Sequence, residues 1–367
     1  MSAKIRVLIV DDSALVRRAL TESLSQSPDI EVVGTATDPY VARDKILELN
    51  PDVLTLDIEM PRMDGLTFLK LLMQRRPMPV VILSSLTGPG SLKAIEALRA
   101  GAVEVLAKPG GAYSAFDDHH RLVEVIKAAF RAKLTRERLD ATPRATPAVS
   151  PARSLARGPW PSPCYQPRTI ILMGASTGGT QALRAILTRL PGNLPGICIV
   201  QHIPAHFSLA FAQHLNEMCA MEVREARNGD VVAPGLALVA PGGYHLLLGR
   251  CGDTYKVRLS EGPRIHYQRP AVDALFGSAM KAGAAPHALA ILLTGMGSDG
   301  AASMLELRNA GARTIAQDEA SCVVFGMPRE AIRMGAAQSV LPLEQMVAHI
   351  ERFANEPTAR RAEPVVS

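Results

Sequence analysis

Short, nearly unbroken apolar runs that stop abruptly in acidic, glycine-rich or hydroxyl-bearing turns recur along this chain, each followed by an amphipathic helix. Ile5–Val10, Val53–Leu56 and Val80–Leu83 lack the strict apolar/polar alternation of a strand that faces water on one side. Such strands must be covered on both faces, and helices alternating with them supply the cover, so a parallel sheet in an α/β architecture is expected. In the first third the pattern reads strand Ile5–Val10, a helix from Ser13, strand Glu31–Thr35, helix 39–49, strand Val53–Leu56, helix 64–73, strand Val80–Leu83, helix 89–100, strand Val103–Leu106 and a last helix. That is a flavodoxin-like (βα)5 order. A second series starts at Ile170–Met173 and runs through helix 179–189, strand Ile197–Gln201, strand Leu289–Leu293, a helix after Asp299, strand Arg313–Ala316 and terminal helices. It predicts a second doubly wound parallel α/β domain, interrupted by a strand-rich stretch over residues 221–260 (Ala237–Ala240, His245–Leu248, Lys256–Leu259).

Between the two series, residues 141–167 contain seven prolines and no acidic residue. Such a segment favours extended conformations and cannot build a core. Before it, Leu122, Val125, Ile126, Ala129 and Phe130 keep helical spacing, so a helix is expected to run on from the first domain. The organisation is therefore a first domain over residues 1–125, a helix extension and Pro/Arg-rich linker over 126–167, a second domain over 168–355 and a disordered tail over 356–367.

Charge and cysteine usage exclude several classes. The net charge of +5 is concentrated in residues 126–168, which carry nine Lys/Arg against two Asp/Glu, and neither flanking region is basic. Nucleic acid is therefore not an expected partner. No apolar run approaches the roughly 18 residues of a membrane span, and Val7–Val10 meets Asp11 and Asp12 at once, unlike a signal peptide. Five scattered cysteines without a CxxC pair fit free thiols in a reducing cytoplasm, not a disulfide frame or zinc site.

Ligands of open parallel sheets bind at the carboxyl ends of the strands. Those ends carry Asp11 and Asp12 after the first strand, Asp57 after the third, Ser84 after the fourth and Lys108 after the fifth. Two or three carboxylates with waters suit Mg²⁺, and a remaining carboxylate can attack a phosphoryl donor while the cations neutralise the transferred group. Residues 1–125 resemble a response-regulator receiver domain, through Val10-Asp11-Asp12-Ser13, Asp57 in Leu56-Asp57-Ile58-Glu59-Met60-Pro61, Asp64-Gly65, Ser84-Ser85 and Ala107-Lys108-Pro109. The resemblance implies phosphorylation of Asp57, Mg²⁺ held by Asp11, Asp12 and Asp57, a Lys108 contact to the phosphoryl group and Ser84 as switch hydroxyl. Val105 stands where many receivers carry an aromatic residue, which argues against an aromatic-rotamer switch.

In the second series, Gly174-Ala175-Ser176-Thr177-Gly178-Gly179 joins a strand to a helix. Such a turn either cradles phosphate on backbone N–H groups or exposes a nucleophilic serine. No lysine follows in the phosphate-loop position. His202 follows the next strand in Gln201-His202-Ile203-Pro204, and Asp299 lies in Thr294-Gly295-Met296-Gly297-Ser298-Asp299-Gly300-Ala301. All three would stand at carboxyl ends of one sheet, where a Ser–His–Asp relay can assemble. The order Ser…His…Asp differs from that of α/β-hydrolases, so a different parallel sheet is expected. His206 follows His202 by four, but Pro204 intervenes and no zincin glutamate is present, which argues against a metal pair. His245 competes with His202 for the base on spacing alone, while His214, His266, His287 and His349 read as packed or surface residues. Arg269 and Asp273 either line a groove or hold a helix start.

Residues 169–355 resemble the catalytic domain of the chemotaxis protein-glutamate methylesterases, through Gly174–Gly179, Gln201–Pro204, Arg269-Pro270-Ala271-Val272-Asp273, Thr294–Ala301 and Ala316–Pro328. The resemblance implies a Ser176, His202, Asp299 triad with an oxyanion hole at the Thr177 and Met296 backbone. It implies hydrolysis of glutamate γ-methyl esters on methyl-accepting chemoreceptors, with deamidation of receptor glutamines, a chemotaxis histidine kinase as phosphodonor and a cytoplasmic location. No cofactor is expected for the esterase step and no membrane insertion. A phosphorylation-controlled adaptor without turnover and a nucleotide-binding module are the competing readings.

Overall fold

The structure is a computed structural model that describes residues 4–84, 89–108, 115–132, 168–205 and 207–356, with backbone alone at 89–92 and 115–120. Most of the expected linker, nearly all of the tail, Ser85, Pro109, Cys164 and His206 lie outside the described residues. The chain divides into two compact units, Met1–Ala145 and Thr146–Ser367.

The first unit runs β1 (Ile5–Val10), α1 (Ala14–Ser25), β2 (Ile30–Ala36), α2 (Pro39–Leu49), β3 (Val53–Asp57), α3 (Gly65–Arg75), β4 (Val80–Ser84), α4 (Pro89–Arg99), β5 (Glu104–Ala107) and α5 (Ala115–Arg131). Its five strands are parallel in the order β2-β1-β3-β4-β5. The chain leaves β1 toward β2 and returns to the other side as β3, so a crevice opens at the carboxyl ends of β1 and β3. Helices begin where side chains satisfy free amides: Ser13 accepts from Val16, Asp38 from Tyr40 and Val41, and Asp64 from Thr67. In α5, Leu122, Val125, Ile126 and Ala129 are buried, whereas Phe130 is 48% exposed. Val123, farther round the helix than Phe130, is buried, so the angular position of Phe130 is not what exposes it; Phe130 lies one residue from the end of α5, where helical spacing alone no longer guarantees cover.

The second unit runs β6 (Ile170–Ala175), α6 (Gly179–Leu187), β7 (Gly196–Gln201), α7 (Phe207–Met218), β8 (Glu222–Glu225), β9 (Leu236–Val239), β10 (His245–Cys251), β11 (Thr254–Ser260), α8 (Val272–Lys281), β12 (Ala288–Leu292), α9 (Ala301–Asn309), β13 (Arg313–Gln317), α10 (Met327–Arg333), β14 (Ser339–Leu341) and α11 (Leu343–Asn355). Seven parallel strands form one sheet in the order β14-β13-β12-β6-β7-β9-β8. The strand-rich stretch splits. β8 and β9 extend the parallel sheet, and β10 with β11 forms a separate antiparallel hairpin. Tyr255 and Val257 of that hairpin share one core with Leu172, Val200, Phe276 and Met304. The adjacency β12-β6-β7 brings the turns after these three strands to one edge of the sheet. Among the described residues, no helix is long and apolar enough to cross a membrane, and Cys198, Cys219, Cys251 and Cys322 are free thiols.

Candidate active site and acidic pocket

In the first unit the strand ends collect charge. Lys108 Nζ lies 2.6 Å from Asp57 Oδ2 and 3.0 Å from Asp11 Oδ2. The Ser13 amide donates to Asp11 Oδ1 at 2.9 Å and the Glu59 amide to Asp57 Oδ1 at 3.1 Å. Asp12 is exposed, yet its carboxylate lies within 4.8 Å of the ligand atoms of Asp11 and Asp57. Ser84 is buried at the end of β4. Burial pushes the Asp57 carboxyl up to about 6, and the neighbouring Asp11 charge adds to this against the opposing pull of Lys108 and the Glu59 amide. For Lys108 burial works against the charge, but hydrogen bonds to Asp57 and Asp11 outweigh it and hold the ammonium above its ordinary value. Three carboxylates facing one ammonium leave excess negative charge on hard oxygen donors, a donor set that suits a small divalent cation.

In the second unit Ser176 opens the strand-to-helix turn after β6, 8% exposed. The turn needs its glycine: Gly178 has φ +78°, and a Cβ there would sit 2.5 Å from Val323 Cβ. The Ser176 amide donates to Thr294 O at 3.0 Å, and Thr294 Oγ1 donates to Thr177 O at 3.0 Å, so one residue grips the turn through the peptide before the serine and the peptide after Thr177. Gln201 Nε2 donates to Ser176 O at 2.9 Å and to His202 O at 3.3 Å, tying the first turn to the second. Gly295 comes so close that a Cβ on it would lie 2.7 Å from Ser176 Cβ and 2.4 Å from Met327 Sδ.

His202 Nε2 lies 2.7 Å from Asp299 Oδ2, with both side chains 3% exposed. Asp299 also accepts from the amides that open α8: Val272 to Oδ2 at 2.7 Å and Asp273 to Oδ1 at 2.9 Å. Burial opposes ionisation of Asp299, but the His202 hydrogen bond, the imidazole charge and these two amides together hold its carboxyl below the usual carboxylate range. The imidazole is thereby fixed through Nε2, which leaves Nδ1 as the nitrogen able to accept a proton.

The structure thus brings Ser176, His202 and Asp299 to the same edge of the sheet. His245 is also buried but donates through Nε2 to Pro263 O at 2.9 Å, whereas it is His202 that pairs with Asp299. Asp273 holds a helix start: Oδ1 accepts from Ser303 N at 3.1 Å and Oδ2 lies 2.9 Å from His266 Nε2. Arg269 ties a loop, donating to Glu261 O at 2.7 Å and Gly262 O at 3.1 Å. Sequence reasoning did not single out the clamps, Gln201 and Thr294, because a buried side chain that bonds backbone carbonyls has no distinctive spacing.

A (βα)5 unit with a lysine-bridged acidic pocket, together with a parallel sheet that presents a serine turn beside a His–Asp pair, defines a response regulator fused to an α/β unit of hydrolase type. Residues 7–114 match the response regulator receiver domain family, and residues 171–350 match the CheB methylesterase family. The chain is 51% identical to a protein-glutamate methylesterase/protein-glutamine glutaminase of Syntrophus aciditrophicus, across 96% of this chain and 99% of that relative. It is 49% identical to another of Anaeromyxobacter dehalogenans, across 96% of each. The Thermotoga maritima CheB methylesterase catalytic domain is 35% identical, covers 50% of this chain and 98% of that one, and superposes with a TM-score of 0.49. The chain belongs to the protein-glutamate methylesterase/protein-glutamine glutaminase family.

Proposed function

We propose that this chain is a phosphorylation-activated hydrolase of the cytoplasm. It removes methyl groups from glutamate γ-methyl esters of methyl-accepting chemoreceptors and deamidates receptor glutamines. The observation that carries the reading is the buried 2.7 Å His202–Asp299 pair beside the Ser176 turn. In the reaction, Ser176 Oγ attacks the γ-carbonyl while His202 takes the hydroxyl proton on Nδ1, the nitrogen that Asp299 leaves open. Asp299 stabilises the imidazolium without itself taking the proton. Amides of Thr177 and Met296 receive the developing oxyanion, and neither donates another hydrogen bond among the described residues. The tetrahedral adduct collapses as His202 returns its proton to the departing methoxide or amine, releasing methanol or ammonia. Water then attacks the acyl-serine with His202 again as base; His202 returns that proton to Ser176 Oγ as the acyl bond breaks, and the receptor glutamate is freed as its carboxylate.

The receiver unit is assigned to residues 1–125, the linker to 126–167, the catalytic unit to 168–355 and the tail to 356–367. Asp57 is the phosphoacceptor, Lys108 contacts the phosphoryl group and Ser84 is the switch hydroxyl. Asp11, Asp12 and Asp57 would hold Mg²⁺, which supplies charge neutralisation on the phosphoryl group. A chemotaxis histidine kinase is the phosphodonor. The acyl-transfer steps use only this chain's own side chains and amides. The test is methanol release from methyl-labelled receptor membranes with a small phosphodonor and Mg²⁺. Wild type is expected to release methanol, and Ser176→Ala to lose on the order of 10⁴-fold or more of the rate. Near-normal turnover by Ser176→Ala would overturn the assignment.

A further inference from the structure

Residues 265–268 form a two-residue hairpin turn: the Ile265 amide donates to Gln268 O at 3.1 Å and the Gln268 amide to Ile265 O at 2.8 Å. Both central residues, His266 at φ +49° and Tyr267 at φ +61°, occupy the left-handed region. Hairpin turns with two such residues strongly favour Asn-Gly, because a side chain there crowds its own backbone. Local turn chemistry therefore disfavours His-Tyr, and strain of this kind persists where surrounding structure holds it for a reason. The fastening is visible. His266 Nε2 is bound at 2.9 Å to Asp273 Oδ2, Arg269 ties Glu261 and Gly262, and His245 ties Pro263. What the pinned turn presents is Tyr267, 75% exposed.

Its position gives that exposure a meaning. A ring nitrogen of His266 lies within 4.8 Å of the ligand atom of Asp299, which in turn holds His202. The turn that carries Tyr267 therefore lies on the Asp299 side of the rim that carries Ser176, with Tyr267 next in sequence to His266. A glutamyl ester can reach Ser176 only if the polypeptide on either side of it lies across this rim. A tyrosine ring offers broad apolar area at the cost of ordering only two torsions, and a turn already fixed adds little further ordering cost on binding.

We propose that Tyr267 is a specificity-determining residue that packs its ring against the polypeptide flanking the esterified glutamate. The inference rests on the methylesterase reading above. The experiment compares kcat/KM for methyl-labelled receptor membranes with that for a small acyl ester too short to reach the turn, using the full-length, phosphodonor-activated protein. Tyr267→Gly removes the ring while relieving the strained φ, so its thermal midpoint is expected to be no lower than wild type. Its receptor-to-small-ester ratio is expected to fall about tenfold, whereas Tyr267→Phe keeps the ratio within about twofold. A Tyr267→Gly protein that keeps the ratio, or a Tyr267→Phe protein that loses it as fully, overturns the proposal. Wild type that hydrolyses the small ester but releases no methanol from receptors would instead overturn the underlying reading, so the two failures are distinguishable.

Discussion

Asp299→Asn bears on both catalysis and folding, because this carboxylate has two kinds of work. Oδ2 accepts from His202 Nε2 and from the Val272 amide, both at 2.7 Å, and Oδ1 accepts from the Asp273 amide at 2.9 Å. An asparagine has one acceptor oxygen for these three donors. If that oxygen keeps His202 and Val272, its NH₂ group meets the Asp273 amide donor to donor. In the flipped orientation the NH₂ faces His202, which must then accept on Nε2 and carry its proton on Nδ1, so the base is lost. By comparison with serine proteases, where the same replacement imposes the wrong tautomer, kcat should fall about 10⁴-fold, about 5.5 kcal/mol. Stability should fall by about 2–4 kcal/mol, from a stranded buried donor and a lost anion at the α8 N-terminus. The second effect carries a pH signature. The Asp299 carboxyl sits below its ordinary value in the fold, so its contribution is fully present above roughly pH 4 and is lost as pH falls through the folded value. The urea-midpoint gap between wild type and Asp299→Asn should therefore be widest near neutrality and narrow in acid. Methanol release at a temperature where both proteins are folded reads the catalytic part. A variant retaining more than a tenth of wild-type kcat would refute the relay, and a midpoint gap that widens in acid would refute the assigned charge state.

Asp57→Asn should abolish activation by a small phosphodonor, leaving methanol release at the unphosphorylated level. Because burial raises the Asp57 carboxyl to about 6, the fold holds that proton more tightly than the unfolded chain does, and this contribution to stability is lost as pH rises from about 4 through 6. Urea unfolding in EDTA should show that decline in wild type and a flatter profile in Asp57→Asn. Gly295→Ala drives a methyl group against Ser176 Cβ and Met327 Sδ, and should lower stability by about 1–3 kcal/mol and kcat at least tenfold, checked by unfolding and methanol release. Gln201→Leu strands the Ser176 and His202 carbonyls and should cost about 1–3 kcal/mol by urea unfolding, with kcat falling while KM holds.

Much of this arrangement was legible in the amino-acid order because a parallel α/β sheet has only one edge at which ligands gather. Once Ile5–Val10, Val53–Leu56 and Val80–Leu83 read as doubly covered strands, the residues after them could not lie elsewhere than the Asp11, Asp57, Ser84 and Lys108 rim. The turns carrying Ser176, His202 and Asp299 followed from the same rule. What stayed hidden depends on register and on backbone atoms, which leave no trace in residue type. Nothing in Val272 or Asp273 announces that their amides will meet Asp299. The strand-rich stretch over 221–260 held two destinations, since alternation along β10 and β11 and the apolar run of β9 do not say which will join the main sheet. The His266-Tyr267 turn was invisible for the opposite reason: its residues contradict the turn they occupy.

The two rims also show how strand ends in parallel sheets come to suit different chemistry. Asp57 and Asp299 are both buried carboxylates at the carboxyl edge of a parallel sheet, yet burial wins at the first and loses at the second. Asp57 receives one backbone amide and shares Lys108 with Asp11, so two carboxylates divide one cation and proton affinity rises. Asp299 receives two amides from the start of α8, where the helix dipole also favours negative charge, and a third donor in His202. A carboxylate short of donors has affinity to spare for a divalent cation and a phosphoryl group, whereas one already saturated is a fixed charge suited to orienting an imidazole. The number of donors supplied by the fold, more than the identity of the acid, sets which of the two tasks an aspartate at a strand end can perform.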